Sequence, residues 1–161
     1  MECEVDPEWD SRTDWEALSR RALRAAHNVD PALANPRLSV SILFTSDAEI
    51  RALNRDWRDK DKPTNVLSFP MLEREELLAL AAEGPPELLG DIALAHETCA
   101  REATEKGASL EDHATHLVVH GLLHLAGYDH EISPADADAM EALETKALAL
   151  IGIADPYGAG V

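Results

Sequence analysis

Apolar and polar positions recur along this chain with two periods. Leu38, Val40, Ile42 and Phe44 alternate with Arg37, Ser39, Ser41 and Leu43, the two-residue period of a half-buried strand. Val66–Phe69, stopped by Pro70, and Leu89–Ala95 read as further strands, and Cys3–Val5 as a short edge strand. Elsewhere the period lengthens. Trp15, Leu18, Ala22 and Ala25 or Ala26 lie at helical spacing and predict a helix from Thr13 to about His27. Ser46-Asp47-Ala48-Glu49 has the spacing of a capping box and opens a helix to about Trp57, whose inner face would carry Leu53 and Trp57. A helix from about Glu97 to Lys106 stops at Gly107. Ser109-Leu110-Glu111-Asp112 opens a longer helix that ends near Ala126. Ser133-Pro134, with proline at the first helical position, opens a last helix to about Ile151.

Three segments break these periods. Pro31 and Pro36 punctuate a loop, and Asp59 to Thr64 with Pro63 is another. Met71 to Glu87 is acidic, rich in Ala and Leu, and holds Gly84-Pro85-Pro86; it reads as an excursion, a helical turn followed by a mobile loop. Strands and helices thus mix irregularly in one short chain. The expected fold is α+β, a single domain over 1–152 with a flexible tail over 153–161, its sheet of about four strands covered mainly by helices. The helix from Ser109 to Ala126 is apolar nearly all round, so it should be central and buried.

Composition narrows the class. Hydrophobic residues make up 45% of the chain and charged residues 28%, the balance of a soluble globular domain. No apolar stretch reaches membrane-spanning length, and the acidic start Met1-Glu2-Cys3-Glu4-Val5-Asp6 is unlike a secretory signal. Cys3 and Cys99 make no disulfide framework, which fits a reducing cytoplasmic setting. A net charge of −17 argues against loose, charge-driven binding to DNA, RNA or an anionic membrane. It leaves room for one local basic site: Arg51, Arg55, Arg58, Lys60 and Lys62 cluster in a short run, interleaved with Asp56, Asp59 and Asp61.

The candidate chemistry lies in His120-Gly121-Leu122-Leu123-His124-Leu125-Ala126-Gly127-Tyr128-Asp129-His130. Residues four apart share a helix face, so the imidazoles of His120 and His124 can converge. Gly127 stands where a helix would end in a left-handed turn, which can swing His130 back toward the same point. One histidine in so apolar a run reads as a core residue. Five of the chain's seven histidines fall between His113 and His130, however, and burying several imidazoles without partners is costly. A metal held by His120, His124 and His130 removes that cost, and three neutral imidazoles plus an open position describe a catalytic zinc site. Nickel or another divalent transition metal also accepts imidazole. The spacing equals that of metzincin peptidases, which place a glutamate right after the first histidine. Here that position is Gly121, so the peptidase base is missing. His116, one turn before His120 on the same face, reads either as a partner supporting a ligand histidine or, in the favoured reading, as a core residue, and Asp129 either orients a ligand histidine or caps the turn.

The histidine segment resembles the signature of the YbeY family of bacterial rRNA maturation endoribonucleases. Leu53-Asn54-Arg55-Asp56-Trp57-Arg58-Asp59-Lys60-Asp61-Lys62-Pro63-Thr64-Asn65-Val66-Leu67-Ser68-Phe69-Pro70 is similar to the family's second block, and Leu89-Gly90-Asp91-Ile92 to its third. The order and spacing match from roughly Leu38 to Leu150. The resemblance implies a single-domain, metal-dependent hydrolase, usually with zinc. It implies single-stranded RNA as substrate, the 16S rRNA precursor, with roles in 3′-end maturation and ribosome quality control. The ribosome or small-subunit proteins are the implied partners, with no membrane and no DNA. His120, His124 and His130 fall on the family's metal ligands and Arg58 on its functionally important arginine. Asn65 departs from the aspartate that many members carry. Ser68 and Asp91 lie inside matching blocks, but their spacing alone implies no chemistry. In such an enzyme, a three-histidine zinc would bring the pKa of water from 15.7 to about 7. Arg58 would offer a permanently charged fork to phosphate oxygens. A zinc peptidase and a non-catalytic, ribosome-associated zinc protein are the alternative classes, the first disfavoured by Gly121.

Overall fold

The computed structural model of the chain describes residues 1–129 and 133–156. His130 and the end of the tail, 157–161, lie outside the described residues. The order is β1 (Glu2–Val5), α1 (Trp15–Val29), a 3-10 turn (Pro31–Ala34), β2 (Leu38–Thr45), α2 (Asp47–Arg58), β3 (Val66–Pro70), α3 (Arg74–Ala79), β4 (Glu87–Ala95), α4 (His96–Lys106), α5 (Leu110–Leu125) and α6 (Pro134–Leu150). The class is α+β as expected. One four-stranded sheet has the order β1-β2-β4-β3, in which β1, β2 and β4 run parallel and β3 runs antiparallel to β4.

The pleat divides the sheet into two unlike faces, because successive side chains point to opposite sides. Val40, Ile42 and Phe44 of β2 and Ile92 and Leu94 of β4 enter the large core with α1, α5 and α6. Leu67, Ala93 and Ala95 turn the other way and meet Ile50 of α2 in a small second cluster. Trp9 anchors the large core. Its ring packs edge-on against Trp15 at 4.9 Å and Phe44 at 5.0 Å, and its indole N–H donates to the Thr45 carbonyl at 2.9 Å.

The α5 helix is the central, buried one. From His113 to Ala126 every residue is buried except His120 and His124, which are half-buried. Ser109 caps its start by accepting from the Asp112 N–H at 3.0 Å. Its end has the expected turn: Gly127 has φ 106°, its N–H donates to the His124 carbonyl at 3.0 Å, and Tyr128 N–H donates to the Leu123 carbonyl at 3.1 Å. Gly121 lets the helix press on the sheet, since a Cβ there would meet Ile92 side-chain atoms at 3.0–3.2 Å.

Three sequence expectations need correction. Trp57 does not share the inner face of α2 with Leu53: Ile50 and Asn54 are buried there, while Trp57 is 74% exposed. The segment after β3 is more built than a turn and a loose loop. It forms α3, whose start carries a reciprocal Glu73–Glu76 capping box, and Arg37 then ties the following loop through the carbonyls of Ala81 (3.2 Å) and Pro85 (2.9 Å). Finally, the Pro31 segment is a 3-10 turn capped by Asp30, not a plain loop.

Candidate active site

A cleft of about 360 Å³ opens between the end of α2, β3 and the last turns of α5. His120 and His124 line it together with Arg58, Lys60, Lys62 and Asp129. The fold therefore brings Arg58 and two of the three predicted ligand histidines to one place. The third, His130, lies outside the described residues.

Each histidine of the cleft is held at Nδ1. His120 Nδ1 donates to Glu144 Oε1 at 2.7 Å, and His124 Nδ1 is paired with the Ser68 hydroxyl. An ionised carboxylate can only accept, so the Glu144 contact puts the His120 proton on Nδ1 and leaves the ring's lone pair on Nε2. The same Glu144 oxygen accepts from His116 Nε2 at 3.2 Å. Glu144 sits fully buried on α6, among Met140, Ala147 and Leu148. Burial pushes its pKa up, but the hydrogen bonds and charges of His116 and His120 outweigh that and hold it down at about 2. His116 is thus more than core filling: it shares the carboxylate that orients His120. Carboxylate–imidazole pairs of this kind fix the tautomer of a ligand histidine. The donor set fits a borderline-soft divalent ion such as zinc.

Arg58 is the last residue of α2. Its guanidinium donates to the Ser68 carbonyl and lies 5.4 Å from the centre of the Phe69 ring. Ser68 therefore links the two halves of the cleft, its carbonyl on the arginine and its hydroxyl on His124. Asn54, buried inside α2, shapes the basic loop. Its side-chain amide donates to the Lys62 carbonyl at 2.9 Å, and its own carbonyl accepts from the Lys60 N–H at 3.1 Å.

Arg74 braces the other side. It pairs with buried Asp30 at 2.6 Å, donates to the Ala126 carbonyl at 2.9 Å and lies 5.3 Å from the Tyr128 ring centre. The turn that follows His124 is thereby clamped by α3. Asn65 lines the cleft as well. Its amide donates to Glu102 Oε1 at 3.0 Å, and the same oxygen accepts from His113 Nε2 at 2.9 Å. An aspartate at position 65 would set two carboxylates against each other; the amide removes that repulsion.

Sequence reasoning missed Glu144, Ser68 and Arg74. Glu144 left a faint trace, a carboxylate at the helical spacing of Met140, Ala147 and Leu148. Asp91 lines no part of this cleft and faces the opposite side of the sheet. Apart from the cleft, Glu8, His96 and Glu97 offer ligand atoms within 4.8 Å of one another and form a group that could hold a metal ion. Gly121 stands where the peptidase pattern places its glutamate. Its Cβ direction points at Ile92, so a glutamate there would be driven into the sheet, away from the cleft.

Comparison with known proteins identifies the family. The family model described as Endoribonuclease YbeY matches residues 4–152. A protein named Endoribonuclease YbeY from Erythrobacter litoralis is 63% identical over 158 residues, covering 98% of each chain. Another of that name, from Novosphingobium aromaticivorans, is 62% identical over 98% of this chain and 95% of its own. A solution structure from Thermotoga maritima superposes with a TM-score of 0.59 at 24% identity, over 91% of this chain and 85% of that one, and so shares the fold. Matched over nearly its whole length, the chain belongs to the Endoribonuclease YbeY family, enzymes that cut within RNA.

Proposed function

We propose that this chain is a metal-dependent, single-strand-specific endoribonuclease of the cytoplasm, acting in 16S rRNA 3′-end maturation and ribosome quality control. His120, His124 and His130 would hold one zinc ion, and Arg58 would act on the phosphate. Single-stranded rRNA precursor would be the substrate, met on the ribosome or with small-subunit proteins. One observation carries the reading: both Nδ1 atoms of the cleft histidines are taken by Glu144 and Ser68, beside a guanidinium held by that same serine. A bound zinc supplies a Lewis-acid charge that makes water acidic enough to ionise near neutral pH and neutralises a phosphate oxygen.

The chain's own residues supply the rest. Glu144 and Ser68 keep the two imidazoles from turning, and the Glu144 carboxylate, which can only accept, also holds the His120 proton on Nδ1. Arg58, preorganised by the Ser68 carbonyl and the Phe69 ring, meets the negative charge that builds on the phosphorus oxygens in the transition state. Lys60 and Lys62 attract the neighbouring phosphates of a flexible strand, while the surrounding acidic surface keeps those contacts few, so the salt dependence of binding should be shallow. Purified protein loaded with zinc, offered labelled single-stranded RNA, duplex RNA and casein, tests the reading. Cleavage of the single strand alone, abolished by chelator while the fold persists, is the expected result. Casein cleavage, or RNA cleavage indifferent to chelator, would overturn it.

A further inference from the structure

We propose that the open apolar groove behind Arg58, formed by Trp57, Phe69 and Met71, is a stacking subsite for an unpaired base of the RNA strand adjoining the scissile phosphate. This rests on the RNA-cleaving reading above and extends it to how the strand is gripped.

The first observation is exposure. Of the three tryptophans, Trp9 and Trp15 are buried at 1% and 2%, whereas Trp57 is 74% exposed and Met71 52%. Indole is a large apolar group that folding ordinarily hides, and a cluster of such groups in solvent marks a contact surface. Together with Leu43, Leu53 and Phe69 they line a groove of about 370 Å³ on the sheet face opposite α5.

The second observation is continuity with the cleft. Trp57 and Arg58 are consecutive at the end of α2. Ser68 and Phe69 are consecutive in β3, and the pleat sends Ser68 to His124 and Phe69 into the groove. The Arg58 guanidinium, over the Phe69 ring, is the partition between the two. A strand whose phosphate sits on Arg58 therefore has a neighbouring nucleotide beside Trp57.

The third observation is the split of charge across that partition. Arg58, Lys60 and Lys62 line the cleft side, while Glu4 and Asp91, the latter across the ladder from Phe69, line the groove. Carboxylates repel phosphate but accept hydrogen bonds from the amino and imino groups of bases. The groove is thus suited to a base and unsuited to backbone. An aromatic floor accepts any base, because each presents a π-face, so the subsite would add affinity without sequence preference.

Trp57 itself reports the outcome, since the other two indoles are shielded from solvent. An eight-nucleotide single-stranded RNA, added in the presence of chelator so that no cleavage occurs, should quench the tryptophan fluorescence; the same sugar–phosphate backbone without bases should not. Trp57→Ala should abolish the quenching and weaken RNA binding about 10- to 100-fold by anisotropy, the range expected for one lost base stack. Trp57→Phe should restore most of the binding. In cleavage assays Trp57→Ala should raise KM more than it lowers kcat. Leu78→Ala, an exposed apolar site outside the groove, serves as the control and should bind RNA normally. An unchanged melting temperature shows that Trp57→Ala folds. Wild-type binding without quenching, equal quenching by the base-free backbone, or undiminished binding by Trp57→Ala would overturn the proposal. So would a Trp57→Ala protein that changes only its oligomeric state, which would make the groove a protein contact. If wild type binds no RNA at all, the function reading falls as well. If it binds and quenches but never cleaves, only the metal chemistry falls.

Discussion

The two faces of the sheet are built on opposite rules. On the α5 face, polar groups are buried and every one used in the cleft is tied to another: Glu144 to His116 and His120, Ser68 to His124, Asp30 to Arg74. On the α2 face, beyond the small buried cluster around Ile50, apolar groups stand in solvent, with Trp57 and Met71 exposed. Burial forces hydrogen bonds to form because an unmet polar group in the interior is costly, and those bonds then hold imidazoles in one orientation. Exposure does the reverse, leaving adaptable surface that a strand can settle on. Rigid chemistry and tolerant gripping thus sit on either side of one strand, β3.

That contrast can be broken from the chemical side first. His124→Ala should show the largest effect: metal content by elemental analysis should fall sharply, and RNA cleavage should vanish. Full metal occupancy in that variant would end the assignment of His124 as a ligand. Arg58→Ala comes next. Its side chain lies at the mouth of the cleft, so melting temperature and zinc content should hold while cleavage drops by about 10²–10³, the usual loss when a preorganised charge donor is removed. Arg58→Lys should recover only part, because an ammonium cannot make a two-pronged contact with phosphate. A wild-type rate for Arg58→Ala would reduce the residue to a surface charge.

Smaller effects sharpen the buried side. Glu144→Ala removes the common acceptor of His116 and His120 and should weaken zinc binding about 10- to 100-fold, measured by competition with a chromogenic chelator. It should also cost roughly 1–3 kcal/mol of stability, because buried His116 and half-buried His120 both lose their acceptor. Glu144→Gln keeps an acceptor of the same shape and should fall between. Equal zinc affinity in all three proteins would show that the carboxylate only fills space.

The smallest effect is with pH. Burial holds the pKa values of His113 and His27 below the usual 6.5, for His113 against the opposing pull of Glu102. Below pH 6.5 the unfolded chain therefore takes up protons that the folded one resists. The stability these groups confer is complete above that pH and is lost as pH falls. Melting temperature should decline from pH 7 toward 5.5, and His113→Gln should flatten the decline. An identical slope in that variant would remove His113 from the account.

Much of the fold was legible because its signals are local. The alternation in Leu38–Phe44, the Ser109 cap, Gly107 and Gly127 past helix ends and Pro134 at a helix start each concern a few consecutive residues. Their conformational preferences do not wait for the rest of the molecule. The misreading of Trp57 shows the limit. A helical wheel places Leu53 and Trp57 on one face, but α2 turns Ile50 and Asn54 inward instead, and the wheel alone does not say which stripe meets the sheet.

By itself the sequence determined the types of the strands and long helices, the central place of the apolar α5 and the shared face of His120 and His124, since four-residue spacing on a helix leaves little freedom. Only the tertiary structure decided what orients those histidines. Glu144 comes from a helix 24 residues beyond His120, and Ser68 from a strand 56 residues before His124. No local period relates them. Their meeting depends on how α6 and β3 pack against α5, and packing is settled by the whole core at once.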